Sequence, residues 1–205
     1  MTEDHLRLLI AVCLPLAASL LVWLWAGRLR RRGRFSGAPG YGHAFSERLQ
    51  SLRFDATAMD VSALGSSTLV WFFTPLFAVL FWLAGDIRAA LCLLIGSVVG
   101  AGLGDRLKRL TNRTRPELSK YAYFGSSFPS SHTLMATGLY GTAALLFVRL
   151  QVWPSVEWFL VAAAALIIGA VGVSRVVLRV HYLSDVVAGL IVGLSIVVAV
   201  GLLYG

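Results

Sequence analysis

Charge is scarce in this chain: 14% of its 205 residues are Asp, Glu, Lys or Arg, while 58% are hydrophobic. A soluble domain carries about 25% charged residues, and one water-surrounded core of this size cannot absorb so much apolar sequence. A bilayer is the solvent to which the composition points. Cysteine is nearly absent. Cys13 and Cys92 both fall inside apolar runs, which excludes a disulfide framework and reads them as small buried hydrophobes. Also missing are segments of about 10 residues in which apolar and polar positions alternate, which excludes the strands of a membrane barrel. No internal repeat or low-complexity segment is present.

What the chain does have is uncharged runs: Leu8–Gly27, Val61–Gly85, Ala89–Gly104, Thr133–Val148, Trp158–Ser174 and Val186–Gly205. Each approaches or reaches the roughly 20 residues that carry a helix across about 30 Å of hydrocarbon. The expectation is an all-α membrane protein with six transmembrane helices. The first run follows an acidic start, Glu3 and Asp4, and is too long and bulky for a signal peptide, so it stays as a helix. A basic, glycine-rich linker comes next, then Phe45, Leu49, Leu52, Ala56 and Met59 at helical spacing, which predicts a short interfacial helix. The organisation is a single membrane-embedded domain over 1–205: first span 8–27, linker and interfacial helix 28–60, helical bundle 61–205.

"GSVVG" (Gly96–Gly100) and "GLIVG" (Gly189–Gly193) match the small-xxx-small pattern that lets membrane helices approach closely. Trp23, Trp25, Trp82, Trp153 and Trp158 lie near span ends, where indoles act as interfacial anchors.

The net charge of +8 is compatible with nucleic acid, anionic lipid or an anionic substrate. Its distribution decides between them. The basic residues cluster in the first, third and fifth connections, which six alternating spans place on one side of the membrane. A phosphate-bearing ligand at the lipid surface fits best, and nucleic acid does not.

Three clusters on that side carry chemistry. In "KRLTNRTRP", Lys108 and Arg115 are seven apart and would share a helix face if the third span runs past Gly104, with Pro116 ending the element. In "FPSSHT", Pro129, Ser130 and Ser131 precede a helical run, whose free backbone N–H groups favour an anion, and His132 stands in its first turn. In "SRVVLRVHYLSD", Arg175 follows the fifth span, and His181 and Asp185 are four apart at the start of the sixth. A carboxylate there can accept the proton of one imidazole nitrogen and leave the other as nucleophile or base. Taken singly, each cluster has a plain structural reading: a basic collar on lipid headgroups, a helix cap, an interfacial His–Asp pair. Together, two histidines, a carboxylate and three cations on one membrane face make a phosphate site.

The three-part pattern, Lys108–x6–Arg115–Pro116, then Pro129–Ser130–Ser131–His132, then Ser174–Arg175–x5–His181–x3–Asp185, resembles the signature of the type-2 phosphatidic acid phosphatase family, which shares its helical bundle with vanadium haloperoxidases. The resemblance covers the chain from about Val61 onward. One position departs from it, since the family usually has glycine where this chain has Ser131.

The resemblance implies a membrane phosphatase that hydrolyses a lipid phosphate or diphosphate through a phosphohistidine. His181 would be the nucleophile, Asp185 its orienting carboxylate, and His132 the acid and then the base. Lys108, Arg115, Arg175, Ser130 and Ser131 would hold the phosphate. It implies no cofactor and no metal, and the acidic residues near the motifs, Asp105, Glu117 and Asp185, are scattered. The partner is then a lipid phosphate substrate in the bilayer; nothing in the sequence speaks to oligomeric state. A phosphotransferase would use the same first half-reaction. A non-catalytic binder or transporter would be expected to have lost a histidine, and haloperoxidases lack the six spans. His5 and His43 lie outside every motif.

Sidedness pulls two ways. The resemblance implies a multi-pass protein of the plasma (inner) membrane with an extracytoplasmic site. Of the 18 Lys and Arg residues, however, all but Arg7, Arg88 and Arg149 fall on the motif side, and basic residues concentrate on the cytoplasmic side.

Overall fold

The computed structural model describes residues 2–33, 55–116, 125–151 and 156–205. Every regular element among them is helical: α1 (Glu3–Arg31), α2 (Asp55–Ala63), α3 (Ser67–Leu83), α4 (Ile87–Thr111), α5 (Ser131–Ala136), α6 (Thr142–Arg149), α7 (Glu157–Val177) and α8 (Leu183–Tyr204). A single π-helical turn, Thr137–Gly141, joins α5 to α6 without a break. Five stretches are long and apolar enough to cross a membrane: α1, the α2–α3 pair, α4, α7 and α8.

Local signals set the ends. Glu3 and Asp4 sit in the first turn of α1, and Arg28, Arg30 and Arg31 in its last, each sign placed where the helix dipole favours it. Ser66 caps α3 by accepting the Leu69 N–H at 3.3 Å, and Asp86 caps α4 by accepting the Ala89 N–H at 2.8 Å. At the other end of α4, Asn112 adopts the left-handed conformation, φ 44°, and the helix stops there.

The helices face the membrane with their large residues and each other with small ones. Leu21, Phe72, Leu83, Trp158, Phe159 and Leu166 are all more than 60% exposed, forming a lipid-facing shell. Several buried hydroxyls turn back on their own helices: Thr74 donates to the Val70 carbonyl at 2.7 Å, Thr137 to Thr133 at 2.7 Å, and Ser195 to Val192 at 2.6 Å. A bilayer offers no water to such groups, so an internal partner is favoured.

Helix α8 is central, packed by α1, α4 and α5. The two small-xxx-small segments make this possible in a relay. A Cβ on Gly96 or Gly100 of α4 would come within 2.9 Å of Val200 or 3.0 Å of Ile196 on α8. A Cβ on Gly189 or Gly193 of α8 would lie 2.6 Å from the Ser130 carbonyl oxygen or 2.5 Å from Thr137 Cβ. Gly189→Ala is therefore expected to cost about 1–3 kcal/mol, the usual penalty of overpacking, because the obstacle is backbone. Gly169→Ala on α7, where a Cβ meets nothing within 4 Å, should leave the thermal midpoint in detergent unchanged. Equal midpoints for the two variants would refute the close approach of α8 to α5.

Three expectations are corrected here. The apolar run Val61–Gly85 is not one helix: turns at Leu64, Gly65 and Ser66 separate α2 from α3. Helix α4 ends at Thr111, so Arg115 lies beyond it and does not share a helix face with Lys108. Cys13 is exposed rather than buried, and Cys92 is partly buried; both are free thiols. The expected interfacial helix lies mostly outside the described residues, of which only its final part, from Asp55 on, is helical. Trp153 and His43 also lie outside them.

Candidate active site

All three sequence clusters meet at one end of the bundle, where α1, α4 and α7 finish and α5 and α8 begin. Arg30 at the end of α1 donates to the Thr111 carbonyl at 2.6 Å, tying the first span to the last turn of α4. From there the chain runs without helix through Asn112 to Pro116. Its backbone is held by 126–127: the Arg113 N–H donates to Ser126 Oγ at 2.9 Å, and the Ser127 N–H to the Arg113 carbonyl at 2.9 Å.

Ser130 is fully buried and caps α5. Its Oγ accepts from Thr133 Oγ1 at 3.1 Å, and the hydroxyl's own hydrogen is not used in that contact. The Ser130 N–H donates to the Asp185 carbonyl at 2.9 Å, so the starts of α5 and α8 are bolted together. His132 lies in the first turn of α5, as expected from the sequence, and is only partly exposed. The turn between α2 and α3 rests on it: a Cβ on Gly65 would lie 2.8 Å from the His132 carbonyl oxygen.

His181 precedes α8 rather than lying within it, yet the four-residue spacing still brings its Nδ1 to 3.4 Å from Asp185 Oδ2. That is longer than an ordinary hydrogen bond. Asp185 is wholly buried; Oδ2 accepts the Tyr182 N–H at 2.9 Å, and Oδ1 takes Arg113 Nη1 at 2.6 Å. Burial, reinforced by Arg175 and Arg115 and opposed by Asp185, pushes His181 down to about 4. A neutral imidazole at pH 7 follows.

The cations converge from three elements. Lys108 is half-buried on the last turns of α4. Arg115 donates to the Val180 carbonyl at 2.9 Å. Arg175, in the last turn of α7 and 1% exposed, donates to Ser62 Oγ of α2. Arg175, His181, Lys108 and Arg115 all lie near enough to act on the charge of His132, and Arg115, Arg175 and Asp185 on that of Lys108. Ser131 sits at the edge, lining a cavity of about 110 Å³ with Trp71, Gly100, Gly104, Asp105 and Met135. A smaller cavity beyond it extends along Gly96, Val70 and Leu139 between the helices.

The structure therefore brings together all eight residues singled out from sequence. It adds two that sequence reasoning missed, Arg113 and Ser62. Arg113 was legible only as one more member of a basic collar, and Ser62 only as a serine at the edge of an apolar run.

These features define an all-helical membrane protein with a cationic, histidine-bearing site at one end of its bundle. The model of the PAP2 superfamily matches residues 87–204, more than half of the chain, and the protein belongs to that superfamily. It is similar to phosphatidylglycerophosphatase B of Bacillus subtilis (strain 168), 35% identical over 94 residues that cover 45% of this chain and 46% of that protein. The matched stretch thus spans just under half of that relative's length. It is also similar in fold to the crystal structure of the first transmembrane PAP2 type phosphatidylglycerolphosphate phosphatase from Bacillus subtilis, with TM-score 0.75, 22% identity, and 91% of this chain and 93% of that one covered.

Proposed function

We propose that this protein is a membrane phosphatase that hydrolyses a lipid phosphate or diphosphate through a phosphohistidine. The observation that carries the reading is the His181–Asp185 pair facing Lys108, Arg115, Arg175 and His132 at the end of a membrane bundle. In the first step His181 Nε2 attacks phosphorus, the bond to the leaving oxygen breaks, and His132 donates a proton to that oxygen. In the second, His132 takes a proton from water, the water oxygen bonds to phosphorus, and the P–N bond breaks to release inorganic phosphate and restore His181.

Asp185 holds Nδ1 as the protonated nitrogen and stabilises the imidazolium of the intermediate. Its 3.4 Å separation from His181 is of the kind that tightens when substrate binds. Lys108, Arg115 and Arg175, with Ser130, Ser131 and the backbone N–H groups of Ser131 and His132, would hold the phosphoryl oxygens. Such prearranged donors stabilise the charge that develops in the transition state. Because three side-chain cations supply that positive charge, the reaction as proposed uses no metal.

The lipid part of the reading is supported by the cavity that starts at Ser131 and continues between α3, α4 and α5. The missing side chains of Gly96, Gly100 and Gly104 leave room there for an apolar chain rising from the bilayer. Phosphatidic acid, phosphatidylglycerol phosphate and a polyprenyl diphosphate are the substrate types considered. We take the α5–π–α6 segment as a sixth span: its 19 residues reach about 28 Å at 1.5 Å per residue, and Arg149 at its end lies beside Gly205 at the far end of α8.

We take the catalytic face to lie on the extracytoplasmic side of the plasma (inner) membrane, as the family resemblance implies and against the count of basic residues. Several basic residues at that end have local work that accounts for them: Lys108, Arg115 and Arg175 as phosphate ligands, Arg113 on Asp185, and Arg30 on Thr111.

The test is phosphate release by the purified, detergent-solubilised protein, with chelator present, from each of the three substrate types. Release that survives the chelator is expected. Release that needs an added divalent ion would overturn the metal-free step, and silence on all three lipids would favour a phosphotransferase lacking its acceptor.

A further inference from the structure

The reaction proposed above uses three cations, yet a fourth is buried among them. Arg113 is 3% exposed. The left-handed Asn112 ends α4 and turns the chain so that Arg113 reaches the start of α8. There its Nη1 meets Asp185 Oδ1 at 2.6 Å and Ser184 Oγ at 2.7 Å, and its guanidinium carbon stands 4.1 Å over the Tyr182 ring.

A cation at a helix N-terminus has the wrong sign for the helix dipole. Helix stability therefore does not account for its position; the carboxylate does. Asp185 is 0% exposed, and a buried carboxylate left without a counter-charge is strongly unfavourable. Without a dedicated partner, the nearest positive groups would be those meant for the phosphate: Lys108, whose charge already feels Asp185, and Arg115 and Arg175, which crowd the same histidine.

We propose that Arg113 is a positioning residue for the reaction: by occupying Asp185 Oδ1 it leaves Oδ2 alone to face His181, and it keeps the carboxylate from drawing the phosphate-binding cations onto itself. Arg113 touches neither phosphate nor leaving group and acts only through Asp185. The proposal rests on the reading of His181 as the nucleophile.

The experiment compares full-length wild type, Arg113→Gln, Arg113→Lys, Asp185→Asn and the Arg113→Gln/Asp185→Asn double variant in detergent, with phosphatidylglycerol phosphate as substrate. Arg113→Gln is expected to lower kcat about 10- to 100-fold, the cost of a misplacement of order an ångström, with KM changed by less than about threefold. Arg113→Lys, which restores the charge, should recover part of kcat. The double variant should be no slower than Asp185→Asn alone, because the two residues act as one unit.

A second readout is independent of turnover: histidine-selective NMR titration of His181. The charged groups facing it are Asp185 of α8, Arg175 of α7, Arg115 of the 112–116 segment and His132 of α5. With Arg113 removed, one positive charge is gone from beside the Asp185–His181 pair, and the His181 midpoint should rise. A raised KM with kcat retained would make Arg113 a phosphate ligand and overturn the proposal. Losses that multiply in the double variant, or a His181 midpoint that does not move, would overturn it equally. A wild type silent on phosphatidylglycerol phosphate, phosphatidic acid and a polyprenyl diphosphate alike, with the midpoint still shifting, would defeat the phosphatase reading and leave the Arg113–Asp185–His181 coupling standing. Should Arg113→Gln fail to fold, Arg113→Met, which keeps an apolar stem without the charge, serves for the same comparisons.

Discussion

His181→Ala is expected to abolish phosphate release, with kcat lowered at least about 10⁴-fold, the scale on which enzymes lose activity when a covalent nucleophile is removed. Among the described residues the other imidazole of the site, His132, stands on α5, the carboxylate is already engaged by Arg113 and the Tyr182 N–H, and the rest are cations and serines. The bundle should survive, because His181 lies in the connection before α8 and is needed for no span. Acid-quenched protein after a brief reaction with ³²P-labelled substrate should carry acid-labile label in wild type and none in the variant. Retained release in His181→Ala would end the phosphohistidine reading.

The same substitution has a signature in stability. Burial lowers His181 from an ordinary 6.5 to about 4, so between those values protons bind the unfolded chain and not the folded one. Wild type should therefore lose stability relative to His181→Ala as pH falls from about 6.5 toward 4, while above pH 7 the difference is constant. Thermal midpoints of both proteins across that range check the sign. Wild type gaining stability relative to His181→Ala as pH falls through that range would place His181 in a different environment from the buried, cation-flanked one described here.

His132→Asn is expected to cost about 10²- to 10⁴-fold in turnover of a lipid phosphate, the usual worth of a positioned acid–base group. The loss should depend on the leaving group. An alkoxide must be protonated as it departs, whereas p-nitrophenolate leaves without help, so the variant should retain far more of the first step with p-nitrophenyl phosphate. Without a base for water, the second step then stalls and phosphohistidine accumulates. Label trapped in His132→Asn above the wild-type level, together with slow phosphate release, is the expected pattern. Equal losses in the phosphorylation step on both substrates would assign His132 to binding rather than proton transfer.

Much of this site was legible before any helix was placed. Lys108, Arg115, Ser130, Ser131, His132, Arg175, His181 and Asp185 could be assigned to one end because apolar runs alternate across a bilayer, so odd-numbered connections share a side. The glycine pattern likewise announced close helix approach, and Gly189 and Gly193 do lie against α5. Helix ends were less legible, because hydropathy reports how long a run is apolar and not where its hydrogen bonds stop. Helix α4 continues through Asp105, Arg106 and Lys108 to Thr111, well past the last uncharged residue. The run from Val61 breaks at Gly65, where a side chain would collide with the His132 carbonyl and with Val171.

Arg113 shows the limit most clearly. In sequence it is one of five basic residues between Arg106 and Arg115, with nothing to mark it as the partner of a carboxylate 72 positions away. That pairing depends on a left-handed turn at Asn112 and on the way 126–127 hold the backbone of Arg113. Ser62 meets Arg175 across 113 positions for a similar reason.

The sequence by itself determined that this is a helical membrane protein and singled out two histidines, a carboxylate and three cations that gather at one end of the bundle, because hydropathy and residue chemistry are local properties of the chain. Only the tertiary structure decided which cation pairs with Asp185 and which serine meets Arg175. Those pairings are set by which helices touch, and helix contact in a membrane is governed by the packing of small residues against backbone rather than by any pattern along a single segment.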